Sequence, residues 1–249
     1  MPPVSNETAV IHLPDLGETL TKVWHLLFDL GEGVPDVWCL IGGLMVALYG
    51  IDHGRTDTRP TADGDVLVDI HADPSALREI SNFLTARDLR PDLAPDGIVH
   101  RFIGIVHSDE IVIDVLAPDH VGERADLTTT PGGRTIEVPG GTQALSRTED
   151  VKVHVGGRTG RIRRPNLVGA ILIKLAAQQV AGDTERHFQD LAFLLSLVPD
   201  PMAARPTLTG PERRKLHAGE LADRTHPAWN WLTNDHASAG HAALRLLAG

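Results

Sequence analysis

Apolar side chains recur at Leu16, Leu20, Val23, Leu27 and Leu30, the spacing of one helix face, and Gly31 and Gly33 mark the expected end. An unbroken apolar run at 37–41 predicts a short buried strand. Gly42-Gly43 reads as the turn after it, and residues 44–49 as a helix closed by Gly50. The polar stretch 51–61, with Pro60, predicts a loop. From residue 63 to 70 the pattern alternates: Asp63, Asp65, Leu67 and Asp69 share one face of a strand, and Val66, Val68 and Ile70 the other. Residues 76–86 read as a helix. Strand-like runs at 98–106 and 110–116 flank the polar connection His107-Ser108-Asp109 and predict a hairpin. After the Gly/Pro/Thr-rich stretch 128–141, runs at 151–155 and 161–163 predict a second hairpin. Beyond Pro165 the texture is helical, strongly at 167–180 and 187–197, more weakly at 211–222 and 236–247. Residues 1–165 are therefore expected to form a mixed α/β lobe and 166–249 a helical lobe.

Composition narrows the class. At 42% hydrophobic and 22% charged, the chain has enough apolar surface for a core. The lone Cys39 lies in an apolar run, which excludes an internal disulfide, fits a reducing compartment and reads as core packing rather than a nucleophile. Neither a leader-like segment nor an apolar run of membrane-spanning length is present, so a soluble cytoplasmic protein with no membrane partner is expected. The net charge of −10 disfavours nucleic acid, but it lies wholly in 1–165, where 25 acidic side chains face 15 basic ones. That half also holds the basic run Lys152, Arg158, Arg161, Arg163 and Arg164, read equally as a solvated hairpin or a phosphate-contact surface. The 13 histidines are scattered without a zinc pattern, and no G-x-S-x-G, P-loop or G-x-G-x-x-G motif occurs.

The chemistry concentrates at Gly42-Gly43 and at Arg59-Pro60-Thr61-Ala62-Asp63-Gly64-Asp65. Glycines opening a helix expose backbone N–H groups and a positive dipole end to a phosphate. Asp63 and Asp65, two apart on one strand, point the same way and can share one or two Mg²⁺-type ions, which take oxygen ligands. Asp114, inside the apolar run 111–116, is the candidate third carboxylate, since an ionised Asp there needs a partner.

The stretch IGGLMVALYG…RPTADGDVLVDI resembles the signature of the DNA polymerase β-like nucleotidyltransferase superfamily. More narrowly it resembles AbiEii-type toxin nucleotidyltransferases of toxin–antitoxin systems. In these the signature is followed by a lysine-bearing helix, here NLVGAILIKLAAQQV with Lys174. A helix with an Asp-Leu pair comes next, here ERHFQDLAFLL with Asp190-Leu191. The resemblance implies an α+β fold, a mixed sheet flanked by helices and followed by a C-terminal helical lobe, with the NTP in the cleft between them. It implies that Gly42 and Gly43 cradle the triphosphate and that Asp63, Asp65 and Asp114 carry Mg²⁺. Lys174 would contact the β/γ-phosphates, Arg59 and Thr61 would touch phosphate, and Asp190 would support the site or orient the acceptor. The implied reaction moves a nucleoside monophosphate from an NTP to a hydroxyl, on a tRNA 3′ end or a protein, with a cognate antitoxin as partner. Three positions depart from the pattern: Gly43 where Ser is common, Gly64 where an aliphatic is usual, and Arg186-His187 where a basic-Asp pair commonly stands. Two other readings stay open: a nucleotidylyltransferase of small-molecule antibiotics, and a non-catalytic nucleotide-binding or interaction module.

Overall fold

A computed structural model describes residues 9–178 and 184–249. The expectations for residues 1–8 and for the end of the 167–180 helix, at Gln179 and Val180, lie outside them. Strand β1 (Val10–His12) leads into helix α1 (Gly17–Gly33), then β2 (Trp38–Ile41), α2 (Gly42–Asp52), β3 (Gly64–Val68) and α3 (Ala76–Thr85). The short β4 (Arg90–Pro91) precedes a hairpin of β5 (Arg101–Val106) and β6 (Asp109–Pro118). Residues 128–141 are more ordered than a loop, holding β7 (Thr128–Thr130), β8 (Gly133–Arg134), β9 (Glu137–Val138) and the start of α4 (Gly141–Leu145). A second hairpin, β10 (Thr148–Val155) and β11 (Arg158–Pro165), is longer than its apolar pattern suggests. The helices α5 (Leu167–Ala177), α6 (Thr184–Ser196), α7 (Pro201–Ala204), α8 (Gly210–Ala218) and α9 (Asn234–Ala248) follow.

The chain is a mixed α/β structure. The main sheet runs β2-β3-β6-β5-β4, with β9 joined to the end of β6, and β3 and β6 are its parallel pair. A second sheet, β1-β10-β11, packs through β11 on β2 and α1. That contact explains why β2, an edge strand, is buried at all four positions: its open edge is covered. Cys39 is fully buried there, and burial pushes its thiol far above the usual range, as core packing requires.

Two glycine readings change. Helix α1 runs through Gly31 and Gly33, which serve packing: side chains there would press on the Arg161 carbonyl and overlap the Phe83 ring. Helix α2 likewise starts at Gly42 and passes Gly50, where a side chain would crowd Thr58 and Phe193. One apolar core joins the sheets to helices α5, α6, α8 and α9. A buried polar knot ties α2 to the second hairpin. Arg164, 3% exposed, pairs with Asp52 (2.5 Å) and Glu149 (2.9 Å) and stacks 3.8 Å over the Tyr49 ring, whose hydroxyl donates to the Pro165 carbonyl at 2.7 Å. Arg164 is thus no phosphate-contact residue. Arg158 pairs with Asp29, and Arg161 with Asp36 and Asp150, so most of the basic run is neutralised within the fold.

Candidate functional site

The chain doubles back sharply between β2 and α2, and the site begins there. Gly42 has φ +69°, a left-handed conformation that glycine adopts without strain. A methyl group at Gly42 would collide with the Asp65 carboxylate, and one at Gly43 with the Thr61 hydroxyl. These approaches account for Gly43: Thr61, reaching in from the loop before β3, fills the space a Ser side chain would take. The α2 N-terminus is thus pressed against the start of β3, with the Gly43 N–H hydrogen-bonded to Asp65. Gly64 follows the same logic on the other face, where Ile113, Val23 and Leu27 leave no room for a side chain.

Register brings the carboxylates together. Asp65 and Asp114 are direct partners on the parallel strands β3 and β6, so their side chains leave the sheet on the same face. Asp63 precedes β3 and is half exposed, while Asp69, on the same predicted face, accepts from the Ala72 N–H and caps the turn after the strand. Asp65 is pushed up to about 7, first by burial and then by the Asp114 carboxylate; Asp63 adds to this, while Lys174 and the Gly43 N–H oppose it. Burial and the two neighbouring acids thus both disfavour the charged form of Asp65.

The cations arrive from α5 and from the loop between α2 and β3. Lys174 on α5 is buried, not snorkelling, and its Nζ lies 2.8 Å from Asp190 Oδ2 on α6. Arg59 Nε lies 3.3 Å from Asp190 Oδ1. Asp190, 2% exposed, lies outside the cavity lining and pairs with both cations. A cavity of about 380 Å³ is lined by Gly42, Gly43, Arg59, Thr61, Asp63, Asp65, Asp114 and Lys174, every predicted site residue except Asp190. A second cavity of about 250 Å³ shares Gly42, Asp65, Asp114 and Lys174 with it and continues past apolar Ile136, Val138 and Ile173.

One lining residue escaped the sequence reading. Arg101, at the head of β5, lies opposite Asp114 across the hairpin and grips it with both arms, Nε–Oδ1 at 2.9 Å and Nη2–Oδ2 at 2.8 Å. The same Nη2 is 3.8 Å from Asp63. The hairpin register was the available signal. A two-residue turn, His107-Ser108, places Arg101 against Asp114, whereas counting Asp109 into the turn shifts the pairing by one.

The donor set suits Mg²⁺ in kind: carboxylate oxygens, two on adjoining strands, with excess negative charge at Asp65. It is not closed on a common point. Among the described residues no three His, Cys, Asp or Glu side chains are grouped to hold a metal ion, and Arg101 takes up both oxygens of Asp114. No helix among them is long and apolar enough to cross a membrane. No protein family, curated protein or solved structure matches this chain.

Proposed function

We propose that this chain is a nucleotidyltransferase of the nucleotidyltransferase fold, transferring a nucleoside monophosphate from an NTP to a hydroxyl acceptor. The observation that carries this reading is one cavity joining three features: a glycine-only helix start, the acids Asp63, Asp65 and Asp114, the last two on paired strands, and the cations Lys174 and Arg59, both paired with Asp190. The glycines and the α2 N-terminus receive phosphate oxygens, and Lys174 and Arg59 balance the β- and γ-phosphate charge from the opposite wall. Asp190 keeps both cations aimed. Asp63 and Asp65, and Asp114 once released from Arg101, would hold Mg²⁺, which would supply Lewis-acid stabilisation of phosphoryl oxygens. The acceptor oxygen bonds to the α-phosphorus, the bond to the β-phosphate oxygen breaks, pyrophosphate leaves, and the hydroxyl proton passes to a carboxylate. The adjoining apolar cavity offers room for a flat, uncharged part of the nucleotide or acceptor.

The acceptor reading is a tRNA 3′ end or a protein hydroxyl, with the chain as the toxin of a toxin–antitoxin pair acting in the cytoplasm. The excess of acidic residues also suits a cationic antibiotic acceptor. The Arg101–Asp114 pair is the observation favouring a non-catalytic nucleotide-binding module. The test incubates the full chain with each α-labelled NTP, Mg²⁺ and total tRNA, beside an Asp63→Ala/Asp65→Ala variant. The expected result is labelled tRNA with the wild type and a loss of at least about 100-fold in the variant. Mg²⁺-dependent NTP binding without label on tRNA moves the acceptor to a protein or small molecule. Absence of both binding and transfer rejects the reading.

A further inference from the structure

We propose that Arg101 is a resident counter-cation that holds Asp114 closed against a free divalent ion, so that the carboxylates become a metal site only when the guanidinium is drawn away. The inference rests on the nucleotidyltransferase reading above.

The grip is complete at its acidic end. Both Asp114 oxygens accept from the planar fork, at 2.9 and 2.8 Å, and the Asp114 side chain is 10% exposed, leaving little of it open to another ligand. The same arm reaches toward Asp63, so one guanidinium stands between two of the three acids. At its own end the grip is loose. The Arg101 side chain is 38% exposed and lines the cavity, whereas Lys174 and Asp190, the site's other close pair, are 5% and 3% exposed. Among the described residues the guanidinium pairs with Asp114 and Asp63 alone. An arginine placed to brace the fold would be sequestered like Lys174; one placed to leave needs solvent access and a second anion within reach. The cavity supplies both, because a triphosphate lying on Gly42-Gly43 would put phosphate oxygens in the space that Arg101 faces, and arginine matches phosphate as well as carboxylate. In the exchange Arg101 passes from carboxylate to phosphate, and a divalent ion, carrying one more positive charge, takes its place beside the acids.

The test titrates Mn²⁺ alone into the full chain, counting free ion by electron paramagnetic resonance. It compares wild type, Arg101→Gln, Arg101→Lys and Asp65→Asn, with thermal melts confirming that each is folded. The expected result is Mn²⁺ binding about tenfold tighter in Arg101→Gln, since a positive charge has left the ion's neighbourhood. Arg101→Lys, which keeps the charge but not the fork, should fall between, and it carries the test if Arg101→Gln does not fold. A residue that only braced the fold would weaken binding when replaced. Affinity unchanged or weaker in the Arg101 variants, with wild-type binding abolished by Asp65→Asn, overturns the inference and leaves the nucleotidyltransferase reading standing. No Mn²⁺ binding by any variant, with no NTP binding in the labelling assay, removes both.

Discussion

At Gly42 the backbone passes so near the Asp65 carboxylate that the two residues constrain each other: the glycine admits the acid, and the acid forbids a side chain at the glycine. Asp65 bears the cost of this closeness in its ionisation. Its ordinary value of 3.8 rises to about 7, through burial and the neighbouring acids. Between those values the folded chain holds a proton that the unfolded chain has lost. Stability is therefore fully present below about pH 4 and falls as pH rises toward 7. Asp65→Asn removes the charge without changing the shape. In metal-free buffer at pH 8 it should be more stable than wild type by about 1–2 kcal/mol, the three-unit shift being discounted because Asp65 is only partly buried. Its urea midpoint should lack the wild type's decline between about pH 4 and 7. A less stable variant at pH 8 would mean that Asp65 is held by contacts stronger than its repulsion.

Between elements, the site depends on α5 and α6 lying side by side so that Lys174 meets Asp190. Breaking such a buried pair leaves one charge uncompensated, whereas replacing both members with apolar groups restores much of the loss. Lys174→Met alone should destabilise by about 3 kcal/mol, and Lys174→Met with Asp190→Leu by about 1 kcal/mol, measured by urea unfolding. Neither should bind NTP, which separates the pair's structural share from its role toward phosphate. If the double variant is no more stable than the single one, Arg59 is the cation that Asp190 chiefly serves.

The same scale shows what the sequence could convey. The alternation through 63–70 identifies β3 because one strand face is acidic and the other apolar, and the apolar run at 111–116 identifies Asp114 because an acid there needs a partner. Asp190 and Lys174 are legible only through their resemblance to a motif, since a lysine on an apolar helix reads equally as snorkelling and an Asp on an amphipathic helix reads equally as a surface residue. Arg101 is hidden by a single residue of turn length. His107, with φ +57°, adopts the left-handed conformation that a two-residue hairpin turn demands, and nothing in its residue type announces it. Gly31, Gly33 and Gly50 resemble helix stops because close packing and chain termination both favour a missing side chain.

Over the whole molecule, the Arg164 knot fastens the helix that opens on Gly42-Gly43 to the β10–β11 hairpin, and one apolar core continues into the C-terminal helices. Arg164→Leu should cost about 3 kcal/mol, lowering Tm by roughly 6–12 °C. With a shared core the melt should remain a single transition. Two transitions would indicate that the sheet and the helices unfold separately. The order in which the chain is made adds a consequence. Asp63, Asp65 and Asp114 leave the ribosome well before Lys174 and Asp190, and α6, which bears Asp190, is covered by the still later α9. A nascent chain therefore passes through a long interval in which its acids are present without the lysine that faces them, and the constellation is complete only once α5, α6 and the covering α9 have emerged.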